Sequence, residues 1–228
     1  MDLRDVRAIR ATIANARHQE AHSGHLQALL GQRLPHLHTA IRLPETEANA
    51  ALLQFVLRYI EHIPDFIEAI SLLTERARVF AYAEHFLTIA SDYFLSPPEV
   101  IDGHHGLQAL LDEAYLAHRL MEEINDRFIA HAGAPLLPMD MTRANLIVHH
   151  LLGDRFANKL DQVVQFSVDT ALQKERLFQS DAFHAFLQQC QSAEWAMQLS
   201  EWPCLTEQLD IGLDFGKPTS RDTTPRHH

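Results

Sequence analysis

Apolar residues recur along most of this chain at alternating steps of three and four, the spacing that gathers one face of an α-helix. Val6, Ile9, Ile13 and Ala16 set the first phase and predict a long helix over residues 3–34, loosened in its second half by Gly24 and Gly31. The segment "LPHLHTAIRLPET" reads as a connector, after which Thr46 is placed to cap a helix carrying Leu52, Phe55, Val56, Tyr59 and Ile60. Pro64 is expected to interrupt that helix, with a second segment running on from Asp65. A further stripe, Phe80, Ala83, Leu87, Ala90 and Phe94, predicts a helix over 75–95. "SPPEVIDGHHG" breaks it.

The most regular stripe is Leu110, Ala114, Ala117, Met121, Ile124 and Phe128, which predicts a helix over 106–131. Helices over 141–174, with Gly153 inside, and over about 179–201 complete the set. No alternating strand pattern and no internal repeat is present in the main body of the sequence. The expected fold is therefore all-α: a single bundle of six to seven helices over residues 1–202, followed by a short irregular tail, 203–228, with disorder expected over 217–228.

Composition narrows the function classes. The chain has 228 residues, 46% of them hydrophobic, enough for one sizeable core. Its formal net charge of -11 disfavours direct nucleic-acid binding and docking on anionic lipid. The longest apolar run, "ALLQFVLRYI", is broken by Gln54 and Arg58, so no membrane span is expected. "MDLRDVRAIR" lacks the apolar stretch of a signal peptide, and Cys190 and Cys204 make no disulfide framework. By exclusion, the expected compartment is the cytoplasm.

Several polar side chains interrupt the apolar stripes. Glu20 continues the Val6 series in phase, Glu84 lies beside Phe80 and Leu87, and Glu113 sits among Ala117, Leu120 and Ile124. His149 falls in line with Leu152, Phe156 and Leu160, and His118 precedes Glu122 by four residues. Inward carboxylates need cations, imidazoles or a metal. Glu20, Glu84, Glu113, His118, Glu122 and His149 are accordingly the candidate ligands of an iron or manganese centre held between helices, and such a bundle would be a metal-dependent oxidoreductase. The spacings from His118 to Glu122 and from His149 to Asp154 also occur in hemerythrin-type di-iron bundles, although that family's motif order is not reproduced here.

The opposing reading has these groups paired with arginines or solvated. It makes His150, Asp154 and Asp161 an exposed ridge, and puts His18, His22 and His25 of "HQEAHSGH" on the exposed face of the first helix. With 16 histidines in the chain, the spacings alone are weakly specific. No Gly-rich phosphate loop or nucleophile elbow occurs. Cys190, Trp195 and Trp202 read as packing residues. The pattern does not decide between an enzyme and a binding protein.

The tail holds the other lead. In "QLDIGL", Gln208, Leu209, Ile211 and Leu213 occupy the specified positions of a Gln-Leu-x-Leu-x-Leu pattern, with Ile211 in place of one Leu. The stretch resembles the hexapeptide by which bacterial DNA polymerases and replication regulators dock on the sliding clamp. The resemblance covers six residues and implies that Leu209, Ile211 and Leu213 are apolar anchors and Gln208 a polar latch. It makes the chain an interaction or regulatory protein whose tail seats on a protein partner. Alternation of Leu209, Ile211, Leu213 and Phe215 equally suits an extended strip lying on the bundle itself.

Overall fold

A computed structural model describes residues 3–76, 78–101, 103–133, 135, 141–172, 181–190, 192 and 211–214. Among these residues the chain forms eight α-helices and one two-stranded antiparallel pair. The helices are α1 (Leu3–Ser23), α2 (His25–Arg33), α3 (Ala48–Arg76), α4 (Phe80–Leu95), α5 (Leu107–Ala132), α6 (Thr142–Leu152), α7 (Asp154–Leu172) and α8 (Asp181–Cys190). The strands are β1 (Ile41–Arg42) and β2 (Gly212–Leu213).

The apolar stripes become one core. Val6, Ile9, Ile13 and Ala16 of α1 are buried, as are Leu110, Ala114, Ala117, Met121, Ile124 and Phe128 of α5. Helix α5 is the centre of the bundle, with α1, α3, α4, α6 and α7 packed around it. Every residue from Leu110 to His118 is buried, so this helix has no solvent face over more than two turns. Phe183 of α8 closes the core, stacking on Tyr82 of α4 and meeting Phe128 of α5 edge-on.

The element boundaries depart from the periodic reading in four places. The helix expected over 3–34 is two helices, because Gly24 adopts φ +59 and turns the chain between α1 and α2. The helix expected over 141–174 is likewise divided at Gly153, at φ +85. Pro64, by contrast, does not interrupt α3. It lies buried inside a continuous helix, and Ile60, Ile63, Phe66 and Ile67 around it are fully buried, so packing on both sides outweighs the missing N–H.

The helix expected from 75 begins at Phe80. It follows a turn in which Arg78 takes φ +60 while Arg78 N donates to Glu75 O (3.0 Å) and Val79 N to Thr74 O (2.8 Å). That paired hydrogen bonding closes α3 in the manner of a Schellman motif, with an arginine where glycine is the usual occupant. Of the helix expected over 179–201, the described part is α8. Residues 193–210 and 215–228, including Trp195, Trp202, Cys204 and the segment 217–228, lie outside the described residues.

The strand pair was not expected from the main-body pattern. Ile41 pairs with Leu213 and Arg42 with Gly212, and Asp214 N donates to Ala40 O (2.8 Å). Ile211 is 1% exposed, and Leu213 packs against the core from its edge. Part of the C-terminal region therefore lies on the bundle, beside α6. No helix among the described residues is long and apolar enough to cross a membrane.

Candidate functional site

Two places are candidates for a functional site: a polar seam inside the bundle and residues 211–214 against its surface. The seam joins α3, α5, α6 and α7. Tyr59 of α3 donates its hydroxyl proton to Asn145 Oδ1 of α6 (2.7 Å), and Asn145 Nδ2 donates to Glu122 Oε2 of α5 (2.6 Å). Thr142 donates to Glu122 Oε1 (2.7 Å), and the Arg119 guanidinium grips Glu122 as well. Arg119 also donates to Glu123 Oε1 (2.9 Å) and Asp161 Oδ1 of α7 (3.1 Å). Burial opposes the Arg119 charge, yet Glu122 and Asp161 outweigh it and hold the guanidinium more firmly protonated than usual.

Tyr115 continues the seam, its hydroxyl donating to Asp161 Oδ1 (3.0 Å) and lying 2.9 Å from His149 Nδ1. With the Tyr115 hydroxyl donating to Asp161, the consistent tautomer has His149 Nδ1–H donating to the Tyr115 oxygen. His149 Nε2 faces Asp154 at 3.7 Å. It is thus His149, and not His150, that meets Asp154 and Asp161, because the break at Gly153 re-aims α7 relative to α6. His150 turns instead to the connector, accepting from His38 N at Nε2 (2.9 Å).

Next to the seam lies a stack of rings. His118 is fully buried, its ring 4.2 Å from that of Tyr59 and 5.4 Å from that of His62. His118 Nε2–H donates to the Tyr59 carbonyl (2.9 Å), and Nδ1 has no hydrogen-bond partner among the described residues. Burial, reinforced by His62, keeps His118 neutral far below the ordinary histidine range, and burial lowers His62 to about 4.

The six candidate ligands are distributed over separate environments. Glu20 caps α2, accepting from Leu26 N (3.0 Å) and Gln27 N (2.9 Å). Glu84 is exposed on α4. Glu113 is buried, its Oε2 has no hydrogen-bond partner among the described residues, and burial, with Asp112 adding to it, raises its carboxyl to about 8. Its neighbour Asp112 is pushed up to about 6 by burial, against the pull of a short hydrogen bond with His104. His118 lies in the ring stack, while Glu122 and His149 belong to the seam. Among the described residues no group of three or more His, Cys, Asp or Glu side chains is arranged to hold a metal ion.

Tyr59, Tyr115, Arg119, Asn145 and Asp161 were not singled out from the sequence as site residues. The one signal for them was the 3–4 spacing of Tyr115, Arg119, Glu122 and Glu123 along α5. Cys190 is buried, and burial lifts its thiol to about 12, which suits packing rather than nucleophilic chemistry.

A groove of about 490 Å³ runs along α1 and α3, with Arg10, Arg17 and Arg58 on its walls. Each arginine already has a carboxylate: Arg10 has Asp65 (2.6 Å) and Glu68 (2.9 Å), while Arg17 and Arg58 share Glu61. The groove therefore carries little uncompensated positive charge for an anionic ligand.

Of the hexapeptide, Ile211, Gly212 and Leu213 are described, whereas Gln208, Leu209 and Asp210 lie outside the described residues. The described end is extended, with Ile211 turned into the core and Leu213 half-buried. No protein-family model, curated protein or solved structure matches this chain.

Proposed function

We propose that this protein is an interaction module whose C-terminal strip, Gln208–Leu213, docks in an extended-peptide groove of a protein partner, the bacterial sliding clamp being the partner whose peptide pattern its residues match. The observation that carries the reading is the state of the strip. Its described end is already extended, and its ladder with β1 spans only two residues. The Arg42–Asp214 ion pair beside it (3.1 Å) has both side chains more than half exposed, so it adds little to the hold. An extended peptide with so short an intramolecular ladder loses few hydrogen bonds on moving to a new groove.

Docking is then an exchange. Ile211 leaves a site where it is 1% exposed and must be buried again in the partner, so the free protein competes with the clamp for its own peptide. The test is binding of the purified protein to a bacterial sliding clamp beside a Leu209→Ala/Leu213→Ala variant. Saturable binding that the variant loses supports the assignment. Equal binding, or none by either protein, removes it.

The di-iron or di-manganese alternative draws less support. Three donors already converge on Glu122, Glu20 is spent on capping α2, and Glu84 faces solvent. A metal there would require several helices to rearrange. Stoichiometric iron or manganese in the isolated protein, lost on Glu113→Ala, would restore that reading.

A further inference from the structure

We propose that His18 and His22, on the last two turns of α1, form a two-imidazole chelate for a borderline divalent first-row ion of the class Zn(II), Ni(II) or Cu(II). Neither histidine takes part in the seam or in the strip. They are four residues apart on one helix face, both exposed, with ring centroids 4.6 Å apart. That spacing is the one by which a helix offers two imidazoles to a single ion.

The tautomer is set for it. His22 Nδ1 lies 2.8 Å from the His18 carbonyl, which can only accept, so Nδ1 carries the proton and the Nε2 lone pair is left for a ligand. A backbone carbonyl holding the second ring nitrogen in this way is the usual support of a metal-bound histidine.

The surroundings favour a cation. His22 is in the last turn of α1, at the negative end of the helix dipole. Glu20 lies between the two histidines in sequence and brings a carboxylate near the same helix end, although its oxygens are committed to the amides of Leu26 and Gln27. No third protein ligand joins the pair among the described residues, so the remaining coordination positions belong to water. Two neutral imidazoles select borderline ions over Mg(II) and Ca(II), which prefer oxygen. A bound ion would tie the His18 turn to the His22 turn and steady the corner where Gly24 N donates to Glu20 O (2.8 Å) before α2 begins.

The test is calorimetric titration of the full chain with Zn(II) and with Ni(II), alongside His18→Ala, His22→Ala and His25→Ala variants. These positions are exposed, so the variants should fold normally. Other histidines of this chain can take up metal, so the readout is a difference between proteins. The expected result is that His18→Ala and His22→Ala each lose the same single equivalent, or weaken it at least tenfold, while His25→Ala keeps it. Ni(II) should also broaden the ring signals of His18 and His22 in the wild-type protein before those of His25. Equal uptake by wild type and both variants, or broadening that spares the two rings, overturns the proposal.

Discussion

At the scale of single residues, the notable groups are ionisable side chains buried in an otherwise apolar helix packing. Glu113 titrates near 8 because its charged form is desolvated and sits beside Asp112. The native state therefore keeps a proton that the unfolded chain has already released, and stability falls as pH rises from about 4.5 to about 8. Asp112, at about 6, contributes in the same direction over a lower window. His62 acts oppositely: lowered to about 4, it stays neutral when folded while the unfolded ring charges, so stability falls as pH drops from about 6.5 to about 4.

Chemical denaturation across this range should show that Glu113→Gln flattens the decline between pH 5 and 8, by an amount on the order of a few kcal/mol. An unchanged slope would mean that Glu113 is ionised in the native protein. Arg78, at φ +60, holds a conformation natural to glycine, and Arg78→Gly should raise stability by about 1 kcal/mol, read as a higher thermal midpoint. Glu113 was legible in the sequence because it fell inside a stripe. The complete burial of His118 was not, since a one-helix projection places it at the stripe's edge. Only the packing of several helices around α5 removes that edge.

At the scale of elements, periodicity located faces better than ends. The stripes of α1, α4 and α5 were legible because each apolar step follows the helical repeat. The breaks at Gly24 and Gly153 depend on a backbone sign that periodicity does not encode, and both glycines continue the apolar phase without disturbing it. Pro64 misled in the other direction. A local penalty of about 3 kcal/mol suggests a break, but the fully buried residues flanking it make continuation more favourable. Glu20 follows the apolar phase of α1, and that position brings it to the end of the helix, where the amides of α2 face back toward it. Glu20→Ala should therefore destabilise the protein by about 1 kcal/mol, measured by denaturant midpoint, through loss of that cap. No change would show that water caps α2 equally well.

At the scale of the whole molecule, the polar seam fixes how four helices meet. Tyr59 and Asn145 bond where both are almost wholly buried, so their hydrogen bond can form only in one register of α3 against α6. Tyr59→Phe should cost about 1–3 kcal/mol, seen in equilibrium unfolding, because it strands the Asn145 oxygen. Beyond the spacing of Tyr115, Arg119, Glu122 and Glu123 along α5, the seam is not readable from a single helix, since its members come from distant segments. The C-terminal strip was legible only as an alternation with two outcomes, packing on the bundle or docking elsewhere. Residues 211–214 lie on the bundle through Ile211 and the two-residue ladder, and the proposed docking would transfer them to a partner.

Amide hydrogen exchange, recorded with and without an excess of sliding clamp, tests that transfer most directly. The clamp should protect residues 208–213 and expose the Asp214 amide, which donates to Ala40 O in the free protein, and Leu209→Ala/Leu213→Ala should abolish both changes. Exchange at Asp214 and along the strip that stays the same in the presence of the clamp would contradict it.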